Sequence, residues 1–391
     1  MPEAHALLSA SGAHRWLACT PSVRLEEMFE AKTSEYAEEG TAAHALAELV
    51  TAYWVDQIKE DEYEARLAEF KKSNKWYTED MLEDCTAYAK LIRDKWNALK
   101  EKTGDAVVLL EAQIKYDKWA PGGFGTADCL ILADKYLEVI DFKYGKGKRV
   151  DAFENPQMRM YTLGAYNTYG LVYDVENITM TIFQPRISNG LSSDEITIDD
   201  ILAWGNNYVK PRALLAFEGK GDFAPSSETC KFCRAKAMCR ARAEANLKLF
   251  DDAPDVMLMT IEEAGELLEK ADDITSWLDD LKAYVQSSLL EGTTVPGWKL
   301  VEGRSNRRYS DPEAVASAML AAGYPETDLY KPKELIPLTQ MEKSFGKKNV
   351  AEVIGALIIK PAGKPTIAPE SDKRPEYKPE DHILKAFDEG E

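Results

Sequence analysis

Val139 to Lys148 reads VIDFKYGKGK, an apolar run that ends in an aspartate, skips one residue to a lysine, and passes into glycines and more lysines. Side chains two apart in a strand share a face, so a strand here would set Asp141 and Lys143 on the same side of a sheet. A strand end followed by a charged turn would give the same letters. The flanking sequence has to decide.

Just upstream, AVVLLEAQIKY (106–116) and GTADCLILAD (125–134) are short apolar or alternating runs bounded by Gly, Pro and Asp. With YLEVIDFKYG (136–145) they predict three consecutive antiparallel strands. NPQMRMYTLGAYNTYG (155–170) predicts a helix, and NITMTIFQPRI (177–187) a further strand. Helix, three strands, helix, strand is an α/β core with a mixed sheet. From Ala31 to about Leu99, apolar residues at three- and four-residue spacing predict helices, the acidic stretch of about 50–103 reading as a helical insertion. Residues 1–250 then form one domain. Residues 251–365 form an α-rich C-terminal region, with a helix from Thr260 to about Leu290 and two short helices later. Residues 366–391, rich in Pro and charge, form a flexible tail.

At 391 residues, 45% hydrophobic and 29% charged, the chain has the composition of a soluble globular protein. No apolar run approaches the ~20 residues of a membrane span. The opening MPEAHALLSASGAHRW lacks a basic segment followed by an apolar one, so a cytoplasmic location is expected. A net charge of −19 argues at first sight against nucleic acid. The acid, however, gathers in helical stretches such as KEDEYEARLAEF, while base clusters in KYGKGKR, KFCRAKAMCRAR and EGRSNRRY. An acidic protein can still carry a positive groove.

Asp128, in GTADCLIL, lies on the strand before Asp141, and adjacent antiparallel strands bring side chains within ~5 Å. Two converging carboxylates need a proton or a cation between them. Mg²⁺ or Mn²⁺ suits a site of few carboxylates that also takes substrate phosphate. Lys143 beside it would orient or help deprotonate an attacking water and stabilise developing charge. His44 and Glu48 are four apart on one helix face, as are Gln157 and Tyr161. His44 reads equally as a partly buried helix histidine, Glu111 as a surface strand charge, and Gln157 and Tyr161 as packing plus a surface amide.

Taken in order, GTAAH (40–44), GTAD (125–128), IDFK (140–143) and QMRMY (157–161) resemble the PD-(D/E)XK nuclease superfamily, and within it the RecB-like branch. The resemblance spans roughly Gly40 to Pro185. It implies a restriction-endonuclease-like mixed sheet flanked by helices, with His44, Asp128, Asp141 and the Phe142 carbonyl as metal ligands. Lys143 would be the catalytic lysine, with Gln157 and Tyr161 contacting the DNA backbone or bracing the lysine loop, and Glu111 an auxiliary acid.

Cys230, Cys233 and Cys239 form C-x2-C-x5-C, with Cys19 near the start. In an intracellular chain this spacing points to metal rather than disulfides. Four thiolates suit either a [4Fe-4S] cluster or Zn²⁺. The pattern resembles the iron-sulfur variant of RecB-like nucleases, as in AddB-type subunits and CRISPR-associated adaptation nucleases, which implies the cluster. It would act as a staple closing a loop of about two hundred residues. Cys85 and Cys129 read as small buried hydrophobes.

The whole chain also resembles phage- and prophage-borne RecB-like proteins, which would work in the bacterial host cytoplasm. The expected function is a metal-dependent DNA exonuclease acting on single strands or duplex ends in phage replication or recombination, beside a single-strand annealing or binding protein. Lys146, Lys148, Arg149, Arg304, Arg307 and Arg308 are the expected DNA contacts. A catalytically silent DNA-end-binding or scaffold module of the same fold is the alternative, and a zinc-stabilised binding protein a third reading.

Overall fold

A computed structural model describes residues 6–30, 33–248, 260–301, 317, 320–322 and 337–354. Two short helices open it, α1 (Ala13–Ala18) and α2 (Ser22–Glu26), followed by three longer ones, α3 (Glu35–Trp54), α4 (Glu60–Ser73) and α5 (Glu79–Thr103). Strands β1 (Val107–Lys115), β2 (Phe124–Ala133) and β3 (Tyr136–Phe142) follow, then α6 (Pro156–Tyr169), β4 (Asn177–Phe183) and β5 (Leu191–Thr197). Next come α7 (Ile198–Trp204), a π-helical turn (Gly205–Val209), α8 (Lys210–Glu218), α9 (Ser227–Cys230), α10 (Arg240–Leu247) and α11 (Ile261–Leu290).

The sheet runs β1-β2-β3-β4-β5, antiparallel except for the parallel pair β3/β4 that α6 connects. Cys129 to Ala133 of β2 are buried on both faces, which is why this central strand reads as an unbroken apolar run. The edge strand β5, LSSDEIT, alternates exposed with half-buried residues, and its polar side chains keep the edge from pairing further. One face packs under α6, α1 and α8 with Leu130, Val139, Met158 and Leu163 in its core. The other packs under α3 and α5 with Leu46, Ile92, Ile131 and Phe142. This mixed α/β sandwich is the restriction-endonuclease-like architecture expected above.

Local signals set the helix ends. Ser34 and Thr78 cap α3 and α5 by accepting from Ala37 N and Met81 N, and α5 stops at Gly104, whose φ of 87° suits glycine. Thr260 and Glu263 form a reciprocal capping box at the start of α11. Residues 1–294 make one compact unit, so the domain end drawn at 250 falls inside it. There α11 is joined to the preceding segment by Asp280, which takes ion pairs from Lys236 at 2.8 Å and Arg242 at 2.7 Å. In the second unit, 295–391, the described residues include the short helices α12 (Leu338–Phe345) and α13 (Lys347–Ile354). Arg304, Arg307, Arg308 and the expected tail lie outside the described residues. Among the described residues no helix is long and apolar enough to cross a membrane.

Candidate metal centre and cysteine pocket

The site forms where β2 and β3 part. Their ladder ends at Cys129↔Ile140, and beyond it the Asp128 carboxylate accepts from the Phe142 backbone N–H at 2.7 Å, taking the place of a strand partner. Strand geometry turns the Phe142 carbonyl to the same edge. Asp141 and Lys143 do share a face. The Lys143 ammonium lies 2.9 Å from Asp141 Oδ2 and donates to Oδ1 at 3.1 Å and to Gln157 Oε1 at 3.1 Å. Gln157 in turn donates through Nε2 to Asp141 Oδ1 at 3.3 Å and to the Tyr161 hydroxyl at 3.1 Å. From α3, His44 Nδ1 comes within 3.3 Å of Asp128 Oδ1, its ring edge-on to Phe142.

Glu111 enters by a backbone distortion. Its φ of 44° is left-handed, a conformation costly for a residue with a side chain and concentrated at functional sites. The β1/β2 ladder pairs Leu110↔Cys129 and Ala112↔Ala127 but skips Glu111 and Asp128. The strands exchange faces there: Leu110 and Cys129 pack against the α3/α5 side, whereas Ala112 and Ala127, two residues on, pack under α6. Period-two alternation breaks at the pair of acids. As a result His44, Glu111 and Asp128 offer ligand atoms all within 4.8 Å of one another.

Burial opposes charge on His44, Asp128, Asp141 and Lys143, and the pairings decide the outcome. His44 is drawn down by burial but held above its ordinary value by Asp128 and Asp141. Asp128, despite burial, is held below the usual carboxylate range by His44, Lys143 and the Phe142 N–H. Burial raises Asp141, with Lys143 offsetting it in part and Asp128 adding to it. Lys143, despite burial, is raised by Asp141 and Asp128. Among the described residues the buried Asp141 Oδ2 receives no well-angled hydrogen bond, the Lys143 contact being an approach of charges only. A buried oxygen lacking a donor, beside a compact His/Glu/Asp set, suits a hard divalent cation.

Cys19, Cys230, Cys233 and Cys239 line one small cavity. Cys19, Cys230 and Cys233 are buried, and burial pushes the Cys233 thiol up to about 12. Hydrogen bonds hold the start of the chain against this region: Arg212 to the Leu17 carbonyl at 2.8 Å, Arg24 to the Phe217 carbonyl at 2.7 Å and Arg234 N to Glu26 at 2.8 Å. Buried Glu26 also pairs with Arg15 at 2.8 Å. These contacts bring Cys19 to the same cavity as Cys230, Cys233 and Cys239. Cys85 and Cys129 are fully buried.

In the basic run, Lys148 pairs with Glu228 at 3.0 Å and Arg149 with Asp151 at 2.8 Å, both on the surface, and Lys146 is exposed. Two positioning residues escaped the sequence reading. Asn155 caps α6, accepting from Gln157 N and Met158 N, and the Asn-Pro at 155–156 was a usable signal. Arg186, 2.8 Å from Glu39 and 3.4 Å from the Tyr144 carbonyl, ties the segment after Lys143 to α3. Its partners are 147 and 42 residues away, so no local pattern marks it.

Among solved structures the chain is similar to LHK-Exo, crystallised in complex with dAMP, at 16% identity, covering 46% of this chain and 93% of that one with a TM-score of 0.22. It is likewise similar to SSO0001, at 16% identity, covering 57% and 95%, also with a TM-score of 0.22. Overlap so slight has no bearing on function. The family model DUF2800, a protein of unknown function, matches residues 5–375, and the chain belongs to that family.

Proposed function

We propose that this chain is a metal-dependent nuclease that hydrolyses DNA phosphodiester bonds, working as an exonuclease. The observation that carries the reading is the meeting of Glu111, Asp128, Asp141 and Lys143 with His44 where β2 and β3 part. His44, Glu111 and Asp128 would hold Mg²⁺ or Mn²⁺, with Asp141 Oδ2 and the Phe142 carbonyl on the same edge. Bound there, the cation supplies polarisation of a phosphoryl oxygen and a more acidic water. Lys143, beside the same edge, would stabilise developing negative charge or help deprotonate the attacking water. Of its three N–H donors, Asp141 and Gln157 take two, leaving one for a phosphate oxygen. Tyr161 fixes the Gln157 amide, which fixes the lysine.

The test is digestion of end-labelled single-stranded and duplex DNA with Mg²⁺, Mn²⁺ or EDTA. The wild type should release mononucleotides from ends in metal only, and Lys143→Ala should be slower by about a hundredfold or more while still binding DNA. A wild type that binds ends but cleaves neither substrate in either metal would make this a silent end-binding module.

The same reading gives the cysteine pocket a [4Fe-4S] cluster. Cys19, Cys230, Cys233 and Cys239 line one small cavity, and the resemblance to iron-sulfur RecB-like nucleases favours the cluster over zinc. A brown anaerobic preparation supports the cluster, and a colourless one with stoichiometric zinc refutes it. A role in phage replication or recombination, beside a single-strand annealing or binding protein, rests on the resemblance of the whole chain to phage-borne RecB-like proteins.

A further inference from the structure

We propose that the cleft between α1, the start of α6 and the α7–π turn is a subsite that stacks unpaired bases of a single-stranded nucleic acid. The inference rests on the nuclease reading and adds which strand the site takes and where that strand lies.

The cleft has a volume of about 440 Å³ and is lined by His14, Glu154, Arg159, Trp204 and Tyr208. Its wall is a ladder of cations and rings. Arg159 lies 5.6 Å from the centre of the Trp204 ring. Trp204 and Tyr208 lie nearly parallel, at 25° and 6.3 Å between centres, and Arg212 sits 4.6 Å from the centre of Tyr208. Flat rings beside guanidinium groups are what strand-binding proteins offer to base faces and phosphates.

Two details set this cleft apart from an ordinary surface recess. Arg159 is mostly buried, yet among the described residues its Nε has no hydrogen-bond partner, and Glu154 lies 3.6 Å from Nη2. A buried donor left unpaired is uncommon and costs stability unless a ligand supplies the acceptor. The rings are also set by a π turn, the helical irregularity that recurs at functional sites. Gly205 allows that turn to press inward, since a Cβ there would lie 2.8 Å from Trp119 Nε1 and 3.0 Å from Leu163 Cδ2. Tyr208 is 40% exposed, so part of its ring is reachable from solvent.

The cleft is also placed to receive a strand leaving the metal centre. Arg159 follows Gln157 by two residues, so the two side chains leave opposite sides of α6, about one helix diameter of 10–12 Å apart. Lys148, from the loop that begins just after Lys143, pairs with Glu228, whose other oxygen is 3.8 Å from His14 at the cleft. The basic loop thus runs from the carboxylates to the rim. A duplex is too wide for a cleft of this size and hides its base faces, whereas a single strand presents them.

The test measures binding in EDTA, where nothing is cut, by anisotropy of three probes: labelled oligo(dT), an abasic strand of equal length, and a blunt duplex. Tyr208→Ala should weaken oligo(dT) binding by about tenfold and leave the abasic strand and duplex within about twofold, Arg159→Gln should weaken oligo(dT) by about tenfold, and both variants should melt like the wild type. Tyr208→Phe, which keeps the ring, should bind as the wild type does. Unchanged oligo(dT) binding in both Tyr208→Ala and Arg159→Gln overturns the subsite, as does a wild type that holds the abasic strand as tightly as oligo(dT). Cleavage in Mn²⁺, run alongside, separates the two readings. A wild type that cuts DNA while the variants keep full affinity loses the subsite alone, and one that neither binds nor cuts loses both.

Discussion

Replacing Asn155 by alanine tests whether the start of α6 holds the lysine in place. Asn155 Oδ1 accepts from Gln157 N at 3.0 Å and Met158 N at 3.2 Å. Met158 is fully buried, so water cannot readily take over the freed amide beside it. Losing such a cap costs about 1 kcal/mol, within a range of roughly 0.5–2. For a cooperative unit of this size that lowers Tm by about 2–4 °C. The functional effect should exceed the thermal one, because Gln157 in the first turn contacts both Lys143 and Asp141. If fraying of that turn withdraws about 1.4 kcal/mol of positioning from the transition state, cleavage slows about tenfold. Asn155→Asp, which keeps the acceptor and adds charge favourable to a helix start, should restore both. Calorimetry and end-labelled cleavage on the three proteins provide the readouts. A full loss of Tm with cleavage unchanged would refute the coupling through Gln157, and an unchanged Tm would refute the cap.

Burial pushes Asp84 on α5 up to about 6, with Asp80 and Glu83 adding to it and Arg186 opposing it. The folded state therefore prefers the neutral acid, and stability present below pH ~4 is lost as pH rises through about 6. Asp84→Asn should match the wild type at pH 4 and melt higher at pH 7, so equal melting at both pH values would sink this assignment. Cys233→Ser should bleach the protein and lower its Tm, since a cluster tolerates loss of one of four thiolates poorly; iron content and absorbance in the variant provide the check. Replacing Lys146, Lys148 and Arg149 together by alanine should weaken DNA binding and flatten its salt dependence by up to about one unit per lost phosphate contact. The exposed Lys148–Glu228 and Arg149–Asp151 pairs are weak enough to exchange for phosphates, and an unchanged slope would leave the run an ordinary charged turn.

Much of the core was legible because its strands carry strong local patterns: CLILA is buried on both faces, and Asp141 and Lys143 meet as their spacing requires. β5 was not, because an edge strand of Ser, Asp, Glu and Thr has too little apolar alternation to stand out from a loop. Glu111 was legible as an acid but not as a neighbour of His44, since regular alternation cannot anticipate a left-handed residue that makes two strands exchange faces together. The Trp204–Tyr208 ladder was hidden for a similar reason. A π turn shifts the helical phase, so spacing of four does not by itself predict two parallel rings. The four cysteines were drawn together by a resemblance rather than by any periodicity, and they do line one cavity.

The bonds that hold the start of the chain join residues 193 to 217 positions apart, from Arg24 with Phe217 to Arg15 with Phe232. At a ribosomal rate of about 5–20 residues per second, roughly 10–40 s pass between synthesis of Cys19 and arrival of its three companions. Strands β1 to β4, whose pairings span shorter separations, can assemble during that interval. For those seconds Arg15 and Cys19 lack their partners from residues 230–239, and an oxidant or a chaperone can meet them before the cysteine pocket exists. The pocket is therefore completed only once Cys239 has been made, and any metal it binds would have to arrive after that point.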